Sequence, residues 1–136
     1  MSEENVEIVV GCFEAVNRGE FAAVVDAYAE DVTLEIHADM AVENHAAGKT
    51  AVVAWFSDWF RQFARGYRFE LDDVRDAGDD RVYVLATHHG RGRASGAPVT
   101  RQMAYVYTVR NGRVARMEVW GEPEPALVAA GLTSGS

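Results

Sequence analysis

RVYVLATHHGRGRAS at 81–95, GAPVTRQMAYVYTV at 96–109 and RNGRVARMEVW at 110–120 are three consecutive runs rich in Val, Tyr and Thr. Ser95-Gly96 separates the first pair and Asn111-Gly112 the second. β-branched and aromatic runs punctuated in this way predict an antiparallel meander. Asn-Gly is the strongest short hairpin signal, because both turn residues tolerate positive φ. Side chains alternate across a strand, so parity sorts the faces. Val82, Val84, Ala86 and His88 go together, leaving Tyr83, Leu85, Thr87 and His89 outward. Arg101, Met103, Tyr105 and Tyr107 share the next inner face, with Arg101 nearest the rim. Ala115, Met117 and Val119 form the last one, opposite Arg116, Glu118 and Trp120. A bulge would invert these assignments locally.

Upstream, Val6, Val9, Val10, Phe13 and Val16 recur at helical spacing and predict a helix over 3–18. A shorter helix is predicted over 20–28, with Phe21, Val24, Val25 and Tyr28 on one side. Residues 32–37 alternate strictly, which predicts a strand with Val32, Leu34 and Ile36 inward. A loop of mixed polarity follows at 38–48. Residues 49–64 make a third helix with a wide apolar stripe of Val52, Trp55, Phe56, Trp59, Phe60 and Phe63. A strand at 67–74 and a turn at 76–80 lead into the meander. Pro123 and Pro125 open a short helix to Ala130, with Gly131 as C-cap and 133–136 as a frayed tail. The expectation is a single α+β domain over 1–136. Three helices pack on one face of a curved antiparallel or mixed sheet, a cone-shaped roll that leaves a hollow.

Bulk properties narrow the function classes. No apolar run approaches the roughly 18 residues of a membrane span. The acidic start lacks the basic region of a secretory signal. A single cysteine, Cys12, excludes an internal disulfide and a multi-cysteine metal site. The cytoplasm is the expected location. A net charge of −8 argues against nucleic acid and anionic membrane as partners. The charge is uneven. Residues 1–80 hold 18 of 21 acids, whereas residues 81–117 hold seven arginines and no acid. Such a stretch either meets acidic helices or a partner subunit, or attracts an anionic ligand.

NRGEFAAVVDAYAEDVTLE at 17–35, the GK-led helix at 48–64, GRGRASG at 90–96 and AYVYTVRNGRVARMEVW at 104–120 resemble the SnoaL-like branch of the nuclear transport factor 2-like superfamily. The likeness covers nearly the whole chain. It implies the ketosteroid isomerase-like cone fold, but a fold that hosts isomerases, cyclases, hydrolases and non-catalytic binders does not fix a reaction. The positions that carry the base, the tyrosine and the acid in the steroid isomerases fall on Ile36, Cys12 and Tyr105. The aspartate of the cyclases and limonene-epoxide hydrolases falls on Val119. The resemblance therefore implies that those acid–base sets are absent or replaced, and that Tyr28 and Trp55 are pocket-wall positions.

His88 is the one titratable group expected deep on an otherwise apolar face. It is either an acid–base group, since imidazole titrates near neutrality, or a neutral core histidine bonded to Tyr105 or backbone. Tyr105 is the companion candidate, a phenol able to polarise a carbonyl or enolate oxygen. The candidate ligand-binding wall is Cys12, Tyr28, Ile36, Trp55, Trp59, Arg101, Met103, Met117 and Val119. Trp59 shares its stripe with Phe60 and Phe63, for which plain core is the commoner role. Asp39 and Glu43 in the 38–48 loop could reach the expected mouth, as could His37 and His45, with solvated loop residues as the default there. A metal site would need His37 or His45 to join His88 or His89, and none is expected; no cofactor motif is present. Arg91, Arg93, Arg116, Glu118 and Trp120 mark the outer sheet face, which suits a homodimer. The expected activity is proton-transfer chemistry of isomerase, cyclase or hydrolase type on a small apolar or mildly anionic carbonyl compound. The alternative is a non-catalytic binding or dimerising domain.

Overall fold

The computed structural model describes residues 2–38 and 44–132. Asp39, Glu43 and the tail at 133–136 lie outside the described residues. The elements are α1 (Ser2–Asn17), α2 (Phe21–Asp26), β1 (Tyr28–His37), β2 (His45–Ala47), α3 (Lys49–Arg61), β3 (Arg68–Gly78), β4 (Arg81–Arg91), β5 (Pro98–Arg110), β6 (Arg113–Trp120) and α4 (Pro123–Ala129). One six-stranded sheet runs in the order β2-β1-β6-β5-β4-β3. β1 pairs parallel with β6, and every other neighbour is antiparallel.

The α+β cone follows from this order. Helices α1 and α3 cover the concave face, where Val32, Leu34, Val82, Val84 and Met117 are completely or almost completely buried beside Val9 and Val52. The Asn17 side chain fixes the end of α1 to β3 by exchanging two hydrogen bonds with the Phe69 backbone, at 2.9 and 2.7 Å. Asn111 and Gly112 both take positive φ, as the hairpin reading requires.

Four sequence expectations need correction. α2 stops at Asp26, and Tyr28 opens β1 opposite Val114, so Tyr28 is presented by a strand. The expected loop at 38–48 contains β2, which caps the β1 edge. The expected turn at 76–80 shrinks to Asp79-Asp80, both with positive φ, because β3 pairs with β4 as far as Gly78. On β6 the register shifts so that Val109 faces Val114 while Thr108 faces Arg116. Ala115 is skipped as a bulge, and Val114 takes the inner place expected for Ala115.

The outer face is partly covered by α4. Its centre forms a second small core of Tyr83, Ala104 and Val106 with Ala126, Leu127 and Ala130 of α4. Arg93 does not sit on this face. β4 ends at Arg91, and the chain turns so that Arg93 donates to the carbonyls of Arg61 and Phe63, at 2.9 and 3.0 Å.

Candidate functional site

Between the helices and the concave sheet lies a cavity of about 780 Å³. Its wall is aromatic because α3 spaces large rings along one side. Trp55 and Trp59 stack at 5.9 Å, and Phe56 and Phe60 stack at 6.1 Å. In a filled core this stripe would be buried, yet only Val52 on α3 is fully so. The helix therefore roofs a hollow. Trp59 and Phe60 serve as wall as much as core, and Phe63 joins them.

His88 and Tyr105 both line this space. The imidazole is only 3% exposed. It stacks parallel to Trp59 at 5.8 Å, with Phe69 also stacked on it. Its Nδ1 lies 2.6 Å from the Tyr67 hydroxyl, and the Trp59 indole N–H donates to that same hydroxyl at 3.2 Å. Tyr67 is the site residue that sequence reasoning missed. The expected partner was Tyr105 or backbone; the real one comes from the connection between α3 and β3.

This chain of bonds fixes the proton on the ring. An indole N–H can only donate, so the Tyr67 oxygen accepts from Trp59. Burial pushes the Tyr67 phenol well above its ordinary value, so it keeps its proton. That proton finds no acceptor other than Nδ1 among the described residues. Nδ1 is then the accepting nitrogen, and Nε2 carries the hydrogen. Nε2 is buried and has no partner among the described residues. Burial, followed by the Arg101 and His89 charges, lowers the His88 pKa to about 4. At neutral pH His88 is therefore an uncharged hydrogen-bond donor.

The phenols reinforce this character. Tyr28, Tyr105 and Tyr107 line the cavity, and burial raises all three hydroxyls above the ordinary phenol value. None of these hydroxyls has a hydrogen bond to another described residue. They are neutral donors. Cys12 sits near Tyr28 and Tyr107, and burial pushes its thiol up to about 11, which makes it an inert small wall residue. No Asp or Glu is among the described lining residues.

Cys12, Tyr28, Trp55, Trp59, Met103 and Val119 are also brought to the wall. Ile36, Met117 and Arg101 are not. Ile36 and Met117 are taken up in the main core cluster, where neighbouring side chains rather than free space surround them. Arg101 faces His88 across the β4–β5 ladder but is exposed. Its guanidinium lies 3.3 Å from where a Cβ on Gly121 would stand.

The sequence profile of the SnoaL-like domain matches residues 9–117. The chain belongs to the SnoaL-like domain family. Three solved structures share its fold. Bal32a, from a soil-derived mobile gene cassette, is 19% identical with a TM-score of 0.78, covering 87% of this chain and 88% of its own. A protein of ketosteroid isomerase-like fold from Catenulispora acidiphila, crystallised with trimethylamine, is 20% identical with a TM-score of 0.72 and 96% coverage of both chains. A candidate polyketide cyclase from Xanthomonas campestris is 21% identical with a TM-score of 0.71, covering 94% of this chain and 97% of its own. Among curated proteins, none matches.

Of the positions carried over from the steroid isomerases, Cys12 and Tyr105 reach the cavity and Ile36 does not; Val119, carried over from the cyclases and epoxide hydrolases, also reaches it. The remaining histidines of this SnoaL-like protein lie elsewhere. His89 pairs with Glu70 at 3.0 Å on the outer face. His45 is exposed on β2. His37 stacks on Trp120 at 4.1 Å, and its ligating atom lies within 4.8 Å of carboxylate oxygens of Glu35 and Glu118. That trio has the donors for a divalent cation, but Arg116 already bonds Glu35 at 2.7 Å and Glu118 at 3.5 Å. The guanidinium supplies the countercharge a metal would bring, and it holds the Glu35 carboxyl below the usual range.

Proposed function

We propose that this SnoaL-like protein is a small-molecule enzyme of isomerase or cyclase type that activates a carbonyl group by hydrogen bonding. The observation that carries the reading is the orphan Nε2–H of His88 in a cavity wall that also holds the unpartnered Tyr105 hydroxyl. Preorganised donors stabilise the negative charge that develops on oxygen as a carbonyl enolises or is attacked. The nearby Arg101 charge favours the same anion, since it already disfavours the His88 cation and favours the Tyr105 phenolate. His88 in this reading polarises oxygen and does not remove a proton: its one accepting nitrogen is occupied by Tyr67. The α-proton leaves to water, which also returns a proton, or a deuteron in D2O, to the α-carbon. The stacked rings of α3 suit a flat apolar ligand. Membership of a family whose solved neighbours include a candidate polyketide cyclase agrees with this class of substrate.

A flat cyclic ketone such as 2-tetralone tests the idea. Enolisation is read by NMR as deuterium uptake at the α-carbon in D2O, and binding by quenching of tryptophan fluorescence. Wild-type protein should speed exchange at least a hundredfold over buffer, with the gain lost in His88→Leu and cut tenfold or more in Tyr105→Phe. A ketone that binds while its exchange stays at the buffer rate would instead establish a non-catalytic binder, the second reading that the same cavity supports.

A further inference from the structure

The charge at the cavity mouth identifies a second feature of the ligand. The wall includes four arginines, Arg18, Arg61, Arg65 and Arg93, from three separate parts of the chain. No carboxylate lines it among the described residues, although the whole chain carries −8. A random draw from this composition would give more acids than bases. Two of the four are paired at their outer side: Arg18 with Glu20 at 2.8 Å and Arg61 with Asp58 at 3.1 Å, both pairs exposed. Arg93 donates only to carbonyl oxygens, so its charge is not cancelled. Arg65 has no ion pair among the described residues. The mouth thus keeps a surplus of positive charge within reach of an aromatic cavity.

We infer that the ligand carries an acidic group, a carboxylate or an acidic enol, which sits at the mouth against Arg65 and Arg93 while its ring system enters the cavity. This deepens the proposed function and rests on it for the cavity being a ligand site. Arg93 is the fixed anchor, because its two carbonyl bonds hold it at the end of α3. Arg65 is the adjustable one, free to fold over a bound anion. A guanidinium meets a carboxylate with two parallel N–H donors, so the arrangement selects acids over neutral isosteres. It also disfavours cations, including quaternary ammonium compounds.

Three naphthalene probes of one shape test this: 2-naphthoate, its methyl ester, and the 2-naphthyltrimethylammonium ion. Binding is followed by quenching of Trp55 and Trp59, which line the cavity. Naphthoate should bind at least tenfold tighter than the ester, and the ammonium ion weakest. Raising salt from 0.02 to 0.5 M should weaken naphthoate and leave the ester unchanged. Arg65→Ser should bring naphthoate to within threefold of the ester, whereas Arg65→Lys should keep most of the preference. Because Arg65 is exposed, neither change threatens the fold. Equal binding of acid and ester, or tightest binding by the ammonium ion, would overturn the acid-group inference and leave the cavity reading standing. Failure of all three probes to bind would overturn both together.

Discussion

A single hydroxyl governs what His88 can do. Parity along β4 places the imidazole on the inner face correctly, but the strand pattern says nothing of its tautomer. That depends on Tyr67, which lies in a connection whose path no periodicity fixes, so the role of His88 was only half legible. Tyr67→Phe should free Nδ1 and strand the Trp59 N–H. The expected cost is about 1–3 kcal/mol for the groups left unpaired, seen by urea unfolding. Ring nitrogen shifts from 15N NMR should report a pure Nε2–H tautomer in the wild type and a mixture in the variant. An Nδ1–H ring in the wild type would contradict the assignment. The depressed pKa gives a second prediction. In the unfolded chain His88 takes its proton near 6.5, and in the folded protein only near 4. The unfolded state binds more protons between those values, so stability is intact above pH 6.5 and is lost as pH falls toward 4. The loss is roughly 3 kcal/mol. Subtracting the His88→Leu curve removes the background from carboxylates. Parallel curves between pH 6.5 and 4 would mean that His88 is solvated in the folded state.

One rim of the cavity is the work of an element junction. After α3, the chain crosses the end of β4: Ala64 N–H donates to the Arg91 carbonyl and Arg93 N–H to the Gln62 carbonyl, both at 2.8 Å. The rings of Phe63 and Tyr67 lie directly over Gly90. A Cβ there would stand 3.0 Å from Tyr67 and 3.1 Å from Phe63, in a backbone conformation that any residue can adopt. The glycine is needed for close approach alone. Gly90→Ala should displace the Tyr67 ring, lengthen its bond to His88 and cost about 1–3 kcal/mol of stability. An alanine variant of unchanged urea midpoint and unchanged His88 ring shifts would show that the rings have room to yield. The sequence displayed this junction only as a glycine-rich stretch inside a strand. It displayed α1, α3 and the meander far better, because hydrophobic spacing is local information. β2 escaped notice since three residues hold no period, and Tyr28 was drawn into α2 because its spacing from Val24 and Val25 fits a helix as well as a strand start.

At the scale of the whole molecule, the sheet separates two jobs. Its concave face carries rings, phenols and an imidazole around a hollow, so it forgoes some of the burial that a filled core would give. Its convex face is covered at the centre by α4, where Tyr83, Ala104, Val106, Ala126 and Ala130 are all at most 1% exposed. That packing stabilises β4 and β5, the two strands that present His88 and Tyr105, without touching the cavity. If the division holds, damage to the convex side should lower stability and spare the site. Leu127 is the test residue, being 7% exposed, remote from the cavity wall and part of the convex cluster. Leu127→Ala should cost about 2–4 kcal/mol in urea unfolding. At temperatures where the variant remains folded, its affinity for 2-tetralone or 2-naphthoate should stay within twofold of wild type. A tenfold change in affinity at full foldedness would show instead that the α4 contact sets the curvature of β4 and β5, and hence the width of the hollow on the other side.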